Sequence, residues 1–180
     1  MIRWSHVRQA LAIALAILTL ELTGPTAGAQ DQADEPTAPN GQTTGLPLPR
    51  FVSLAASEVN MRAGPGTRYP VRWVLQRRGM PIKIVGEDDV WRRVVDYEGT
   101  EGWIHSSLLS SRRTVVVTGA VRELRRSASP DARVVLRAEP GVIGTLLNCT
   151  SGWCLVEIQD VRGWIERSSI WGVLDSEMAD

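Results

Sequence analysis

Histidine, cysteine, lysine and long apolar runs are all scarce in this 180-residue chain. Only His6 and His105 are present, so any catalysis that needs an imidazole base has one candidate outside the first thirty residues, His105. Its neighbours, Trp103-Ile104-His105-Ser106-Ser107, read as a closing strand and turn, which favours a structural or surface histidine. The two cysteines, Cys149 and Cys154, have no histidine nearby to complete a tetrahedral set, so neither a metal nor another cofactor is expected. Asp88-Asp89, Asp96, Glu98 and Glu101 fall in turn-like stretches, where carboxylates are ordinary solvated residues. The expectation is a non-enzyme.

No apolar run is long enough to span a bilayer comfortably. The longest, LAIALAILTL from Leu11 to Leu20, follows Arg3, His6 and Arg8 and precedes Pro25 and the small-residue pattern Ala27-Gly28-Ala29. This predicts a cleaved signal peptide over residues 1–29, hence a periplasmic or secreted protein with no stable membrane span. Residues 30–50 are rich in Asp, Glu, Pro, Thr, Gly and Gln and poor in large apolar side chains, which predicts a disordered linker. Residues 175–180 read as a flexible acidic tail.

Between residues 50 and 174 there are 18 Lys and Arg against 13 Asp and Glu, a net of about +5, and Lys83 is the only lysine. That balance suits an anionic partner of the cell envelope and falls short of a nucleic-acid signature, so no nucleic acid is expected.

The chain repeats itself. Asn60-Met61-Arg62 aligns with Glu123-Leu124-Arg125, Gly79 with Gly141, Trp91 with Trp153, and Gly102-Trp103-Ile104 with Gly163-Trp164-Ile165. The offset drifts only from 63 to 61. Two units follow, 51–111 and 112–174. Each holds short Val-, Ile- and Trp-rich segments separated by Gly, Pro, Asp and Asn, and none has a helical period. Five short strands in about sixty residues imply a small closed barrel, since closure removes exposed edges.

Six tryptophans lie in the folded part. Trp91/Trp153 and Trp103/Trp164 recur in both units, which suggests packing roles. Trp73 and Trp171 do not recur, which suggests a surface or a junction between units. Cys149 and Cys154 flank the expected hairpin loop Thr150-Ser151-Gly152-Trp153 and are expected to point the same way on adjacent strands. In an oxidising compartment they are expected to form a disulfide.

The stretch NMRAGPGTRYPV, residues 60–71, carries the binding hypothesis. Gly64-Pro65-Gly66 demands a tight turn. The loop is expected to form one wall of a groove, with Tyr69 and Pro70 facing Trp91 or Trp103 and Arg62 at the rim to meet a carboxylate. The second unit has no Gly-Pro turn and no counterparts of Tyr69 and Pro70.

The pattern N-M-R-x-G-P-G-x-x-Y-P-V, followed by G-x-P-I-x-I, W-R-R-V and G-W-I-H-S-S-L-L, resembles the bacterial SH3-like (SH3b) domain family. The whole arrangement looks like secreted tandem-repeat proteins of α-proteobacterial type. The resemblance implies an all-β chain with two tandem five-stranded SH3-like barrels. It also implies binding of peptidoglycan or an extended peptide rather than catalysis. The alternative is a protein–protein adaptor or structural subunit of the periplasm that uses a Trp-rich surface.

Overall fold

The computed structural model describes residues 40–150 and 152–177. The expected signal peptide, residues 30–39 of the expected linker and residues 178–180 of the expected tail lie outside the described residues. Among the described residues there is no α-helix. The two repeats form two antiparallel sheets of seven strands each, with the same strand order.

The first unit contains β1 (Arg50–Leu54), β2 (Val59–Arg62), β3 (Val71–Leu75), β4 (Pro81–Asp88), β5 (Trp91–Val95), β6 (Glu101–His105) and, after a 3-10 turn at Ser106–Leu108, β7 (Leu109–Ser110). The order across the sheet is β3-β2-β6-β5-β4-β1-β7. The second unit contains β8 (Thr114–Val117), β9 (Arg122–Arg125), β10 (Val134–Ala138), β11 (Ile143–Cys149), β12 (Trp153–Ile158), β13 (Val161–Glu166), a 3-10 turn at Arg167–Ser169 and β14 (Ile170–Trp171). The five strands expected per unit are present. The two extra ones are an entry strand, β1 or β8, and a two-residue closing strand that pairs with it.

Alternation builds both cores. Val59 and Met61 on β2, Val94 on β5 and Ile104 on β6 point inward to meet Leu54, Ile82 and Ile84. Leu124, Cys154, Val156 and Ile165 do the same in the second unit, with Val115 and Val117. Each recurring Gly-Trp pair puts glycine inside and tryptophan outside. A Cβ on Gly102 would stand 2.4 Å from Met61 Cγ, and one on Gly163 would stand 2.8 Å from Leu124 Cβ. Glycine is therefore what lets β6 approach β2, and β13 approach β9.

The recurring tryptophans are consequently not core residues. Trp91, Trp103, Trp153 and Trp164 are half-buried on the outer faces of their sheets, and both cores are aliphatic. Strand parity is the reason, since their neighbours Arg92, Ile104, Cys154 and Ile165 take the inward positions.

The two barrels share a packed junction. All four residues of β8 are buried, two of them (Val115 and Val117) in the second core. Thr114 Oγ1 donates to the Gly79 carbonyl at 2.7 Å. Phe51 meets Trp171 edge to face with ring centroids 4.7 Å apart, so Trp171 is a junction residue.

Two segments expected to be loose are tied down. Thr44 and Arg50 bind Glu87, and Leu48 joins the first core, so residues 40–50 pack on the first barrel. Glu177 receives Arg113 Nη1 and Nη2, each at 2.7 Å, which fixes part of the expected acidic tail. In both cases a specific ion pair outweighs a composition that by itself favours disorder.

Candidate binding face

The outer face of β2, β6 and β5 gathers three of the predicted residues. Arg62 is the cross-strand neighbour of Trp103, and Trp103 in turn of Arg93. Trp91 is opposite His105, and their rings meet edge to face at 5.3 Å. The result is a row, Arg62-Trp103-Arg93, beside a pair, Trp91-His105. Rigid aromatic faces flanked by guanidinium groups suit a ligand that combines apolar or sugar surface with carboxylates.

The loop from Ala63 to Pro70 has an internal architecture. Arg62 Nη1 donates to the carbonyls of Thr67 (3.1 Å) and Tyr69 (2.8 Å). The Tyr69 ring covers Gly64 so closely that a Cβ there would stand 2.6 Å from Cδ1. Arg68 lies over the same ring, 5.1 Å from its centroid. Tyr69 therefore packs within its own loop; among the described residues the aromatic ring pairs are Phe51–Trp171 and Trp91–His105, and Tyr69 stacks on neither Trp91 nor Trp103. Pro70 is exposed. Arg62 is part clamp, part rim: one nitrogen holds the loop, and among the described residues the side chain pairs with no carboxylate.

The second barrel repeats the clamp without the Gly-Pro turn. Arg125 Nη1 donates to the Ala132 carbonyl at 2.7 Å, at the position equivalent to Tyr69. There, however, Glu123 replaces Asn60 and binds both Arg125 (2.7 Å) and Arg137 (3.1 Å). A hollow of 250 Å³ on this face is lined by Glu123, Arg125, Trp153 and Glu166 among others. This hollow lies on the second barrel, and its arginine, Arg125, is already paired with Glu123.

His105 accepts the Ser107 backbone N–H at Nδ1 (3.2 Å), with Ser107 Oγ at 2.7 Å from the same nitrogen. Both contacts are local and cap the 3-10 turn that follows β6. Asp96 Oδ1 accepts the backbone N–H groups of Glu98 (3.0 Å) and Thr100 (2.7 Å), so it organises the β5–β6 turn. Cys149 and Cys154 are direct cross-strand partners and form a disulfide, as expected.

One buried charge cluster was not anticipated. Glu87, whose side chain is fully buried, receives Arg50 at 2.5 Å, Thr44 N at 2.9 Å and Thr44 Oγ1 at 2.7 Å, with Arg92 Nε at 3.6 Å. Burial alone pushes its carboxyl up, but the hydrogen bonds from Thr44 and Arg50 and the Arg50 charge together outweigh it and hold the group at about 2. The signal was available in the repeat. The offset of 62 that aligns Trp91 with Trp153 also places Glu87 on Cys149 and Arg92 on Cys154.

A family model described as a bacterial SH3 domain matches residues 55–111 and 120–172. One similar curated protein is "Putative N-acetylmuramoyl-L-alanine amidase YrvJ" of Bacillus subtilis (strain 168), 26% identical over 132 residues. The match takes in 63% of this chain and 25% of that protein, so the chain spans about a quarter of its relative's length. Similar solved structures include NlpC1 and NlpC2 from Trichomonas vaginalis, both at 13% identity, with TM-scores of 0.33 and 0.32. They cover 73% and 68% of this chain, and 48% of each of those chains. A Bacillus cereus NlpC/P60 family protein matches at 13% identity and a TM-score of 0.31, over 67% of this chain and 55% of that one. With the family model matching more than half of the chain in two successive copies, the protein belongs to the bacterial SH3 domain family.

Proposed function

We propose that this protein is a non-catalytic binding module of the cell envelope, acting outside the cytoplasm, and that the outer aromatic face of its first barrel takes peptidoglycan or an extended peptide. The observation that carries this reading is the row Arg62-Trp103-Arg93 beside Trp91, with two indoles kept out of an aliphatic core. Rigid aromatic faces on a sheet bind extended ligands at low entropic cost. Arg62 supplies charge for a carboxylate, whereas the equivalent Arg125 already holds Glu123. Tyr69 and Pro70 contribute as the shaped wall beside Arg62. The disulfide suits an oxidising compartment. The Bacillus subtilis relative is named a putative N-acetylmuramoyl-L-alanine amidase, which supports a cell-wall ligand here.

The test is cosedimentation of the purified chain with insoluble peptidoglycan sacculi, beside a Tyr69→Ala/Trp91→Ala double variant whose fold is verified by circular dichroism. Sedimentation of the parent and not of the folded variant is the expected result. Failure of both to sediment sinks the wall-binding reading.

A further inference from the structure

The edge strand of the first barrel is a second, separate surface. β3 ends its sheet, so among the described residues one side of its backbone has no strand partner. Val71, Trp73 and Val74 are 40%, 55% and 47% exposed. Trp73 and Val74 are sequence neighbours and so face opposite sides, which means the strand is exposed on both faces at this point, before Leu75 turns back onto the core. A hydrophobic edge of this kind is usually blunted by charge, proline or a covering segment.

The equivalent strand of the second barrel is blunted. Leu136, at the position of Trp73, packs against the second core. Arg137 beside it is tied to Glu123 by Nε at 3.2 Å and Nη2 at 3.1 Å. The contrast extends to charge. From Val59 to Gly86 the first barrel carries Arg62, Arg68, Arg72, Arg77, Arg78 and Lys83 and no Asp or Glu. The corresponding stretch of the second carries Glu123, Asp131 and Glu139 among its arginines.

We infer that β3 is a docking strand for an acidic, extended segment of a partner protein, which adds to the sheet edge through main-chain hydrogen bonds. Exposed Trp73 gives it an apolar anchor, and Arg72 and Arg78 select for Asp and Glu on the incoming strand. Charge decides against a second copy of this chain. Antiparallel pairing of two β3 strands would bring the arginine runs of both copies together. The inference is independent of the aromatic-face reading, because β3 contributes none of Arg62, Trp91 or Trp103, and sacculus binding can fail without bearing on it.

The experiment titrates the full chain with a short peptide of alternating Val and Glu, following Trp fluorescence and the amide resonances of residues 71–75. Its controls are a Val–Lys peptide and a Val–Glu peptide interrupted by proline. Saturable binding of the Val–Glu peptide alone is expected, with shifts confined to β3 and its neighbour β2. Trp73→Thr should weaken it by about tenfold or more, and Arg72→Glu should transfer the preference to the Val–Lys peptide. Equal binding of the acidic and basic peptides overturns the proposal, as does binding unchanged in Trp73→Thr. Shifts that map to β10 or to Trp91 and Trp103 also overturn it. A concentration-dependent dimer lost in Trp73→Thr would show that a second copy, not an acidic partner, is the occupant.

Discussion

The two barrels solve one structural problem with different chemistry. At the inward-facing pair where the fourth strand meets the fifth, the first barrel places Glu87 opposite Arg92, and the second places Cys149 opposite Cys154. The first solution is a buried carboxylate that needs several donors and therefore recruits Arg50 and Thr44 from the entry segment. The second is a covalent link that needs nothing else. A charge buried in a small barrel obliges nearby chain to order around it; a disulfide does not. This is why residues 40–50, unstructured by composition, are packed in the first unit.

The sharpest way to break the comparison is to remove the carboxylate. Glu87→Ala leaves Arg50 and Arg92 facing each other with no acid between them, and the expected loss is about 3 kcal/mol in urea unfolding. A loss under about 1 kcal/mol would mean the cluster is not needed. The pH dependence follows from the same group. Its carboxyl lies at about 2 in the folded protein against an ordinary 4.5. A depressed value gives stability that is fully present above 4.5 and is lost as pH falls toward 2. Thermal unfolding of the parent should show that decline across this window, and Glu87→Ala should flatten it. Persistence of an equal decline in the variant would assign it to other carboxylates.

Next come the glycines, where the barrels should behave alike. Gly102→Ala drives a methyl into Met61, and Gly163→Ala drives one into Leu124. Each is expected to cost about 2 kcal/mol by overpacking, read as a lowered denaturation midpoint. A neutral result at either would show that the strands can separate without loss.

Reduction should cost at most about 2 kcal/mol, because the bridge closes a short loop. The effect should leave the pH window of Glu87 unmoved. Loss of the acid-sensitive decline on reduction would couple two hairpins that the account treats as separate. Smallest of all is Trp73→Thr, expected to change stability by no more than about 0.5 kcal/mol, since an exposed edge residue supports little packing.

Much of this was legible in the sequence. The repeat, the period-two segments and the Gly-Trp pairs lead to two small β-barrels, and the spacing of Cys149 and Cys154 leads to their disulfide. The inward or outward sense of the tryptophans was harder to read. Trp91 and Trp103 recur, as core residues do, but a one-residue change of strand phase moves a side chain to the opposite face. The Glu87 cluster was hidden for a different reason. Its donors Thr44 and Arg50 lie about forty residues away in a segment whose composition favours disorder. Tyr69 was placed in the correct loop, yet its ring falls on Gly64 because the Gly-Pro-Gly turn leaves room for it there.

The most direct test sets the two outer faces against each other on sacculi. Trp91→Ala/Trp103→Ala and Trp153→Ala/Trp164→Ala remove equivalent indoles from the first and second barrels. The first pair is expected to abolish cosedimentation while the second leaves most of it, because Arg62 pairs with no carboxylate among the described residues and Arg125 is occupied by Glu123. Loss of binding only with the second pair would place the site in the hollow beside Trp153 and contradict the assignment to the first barrel.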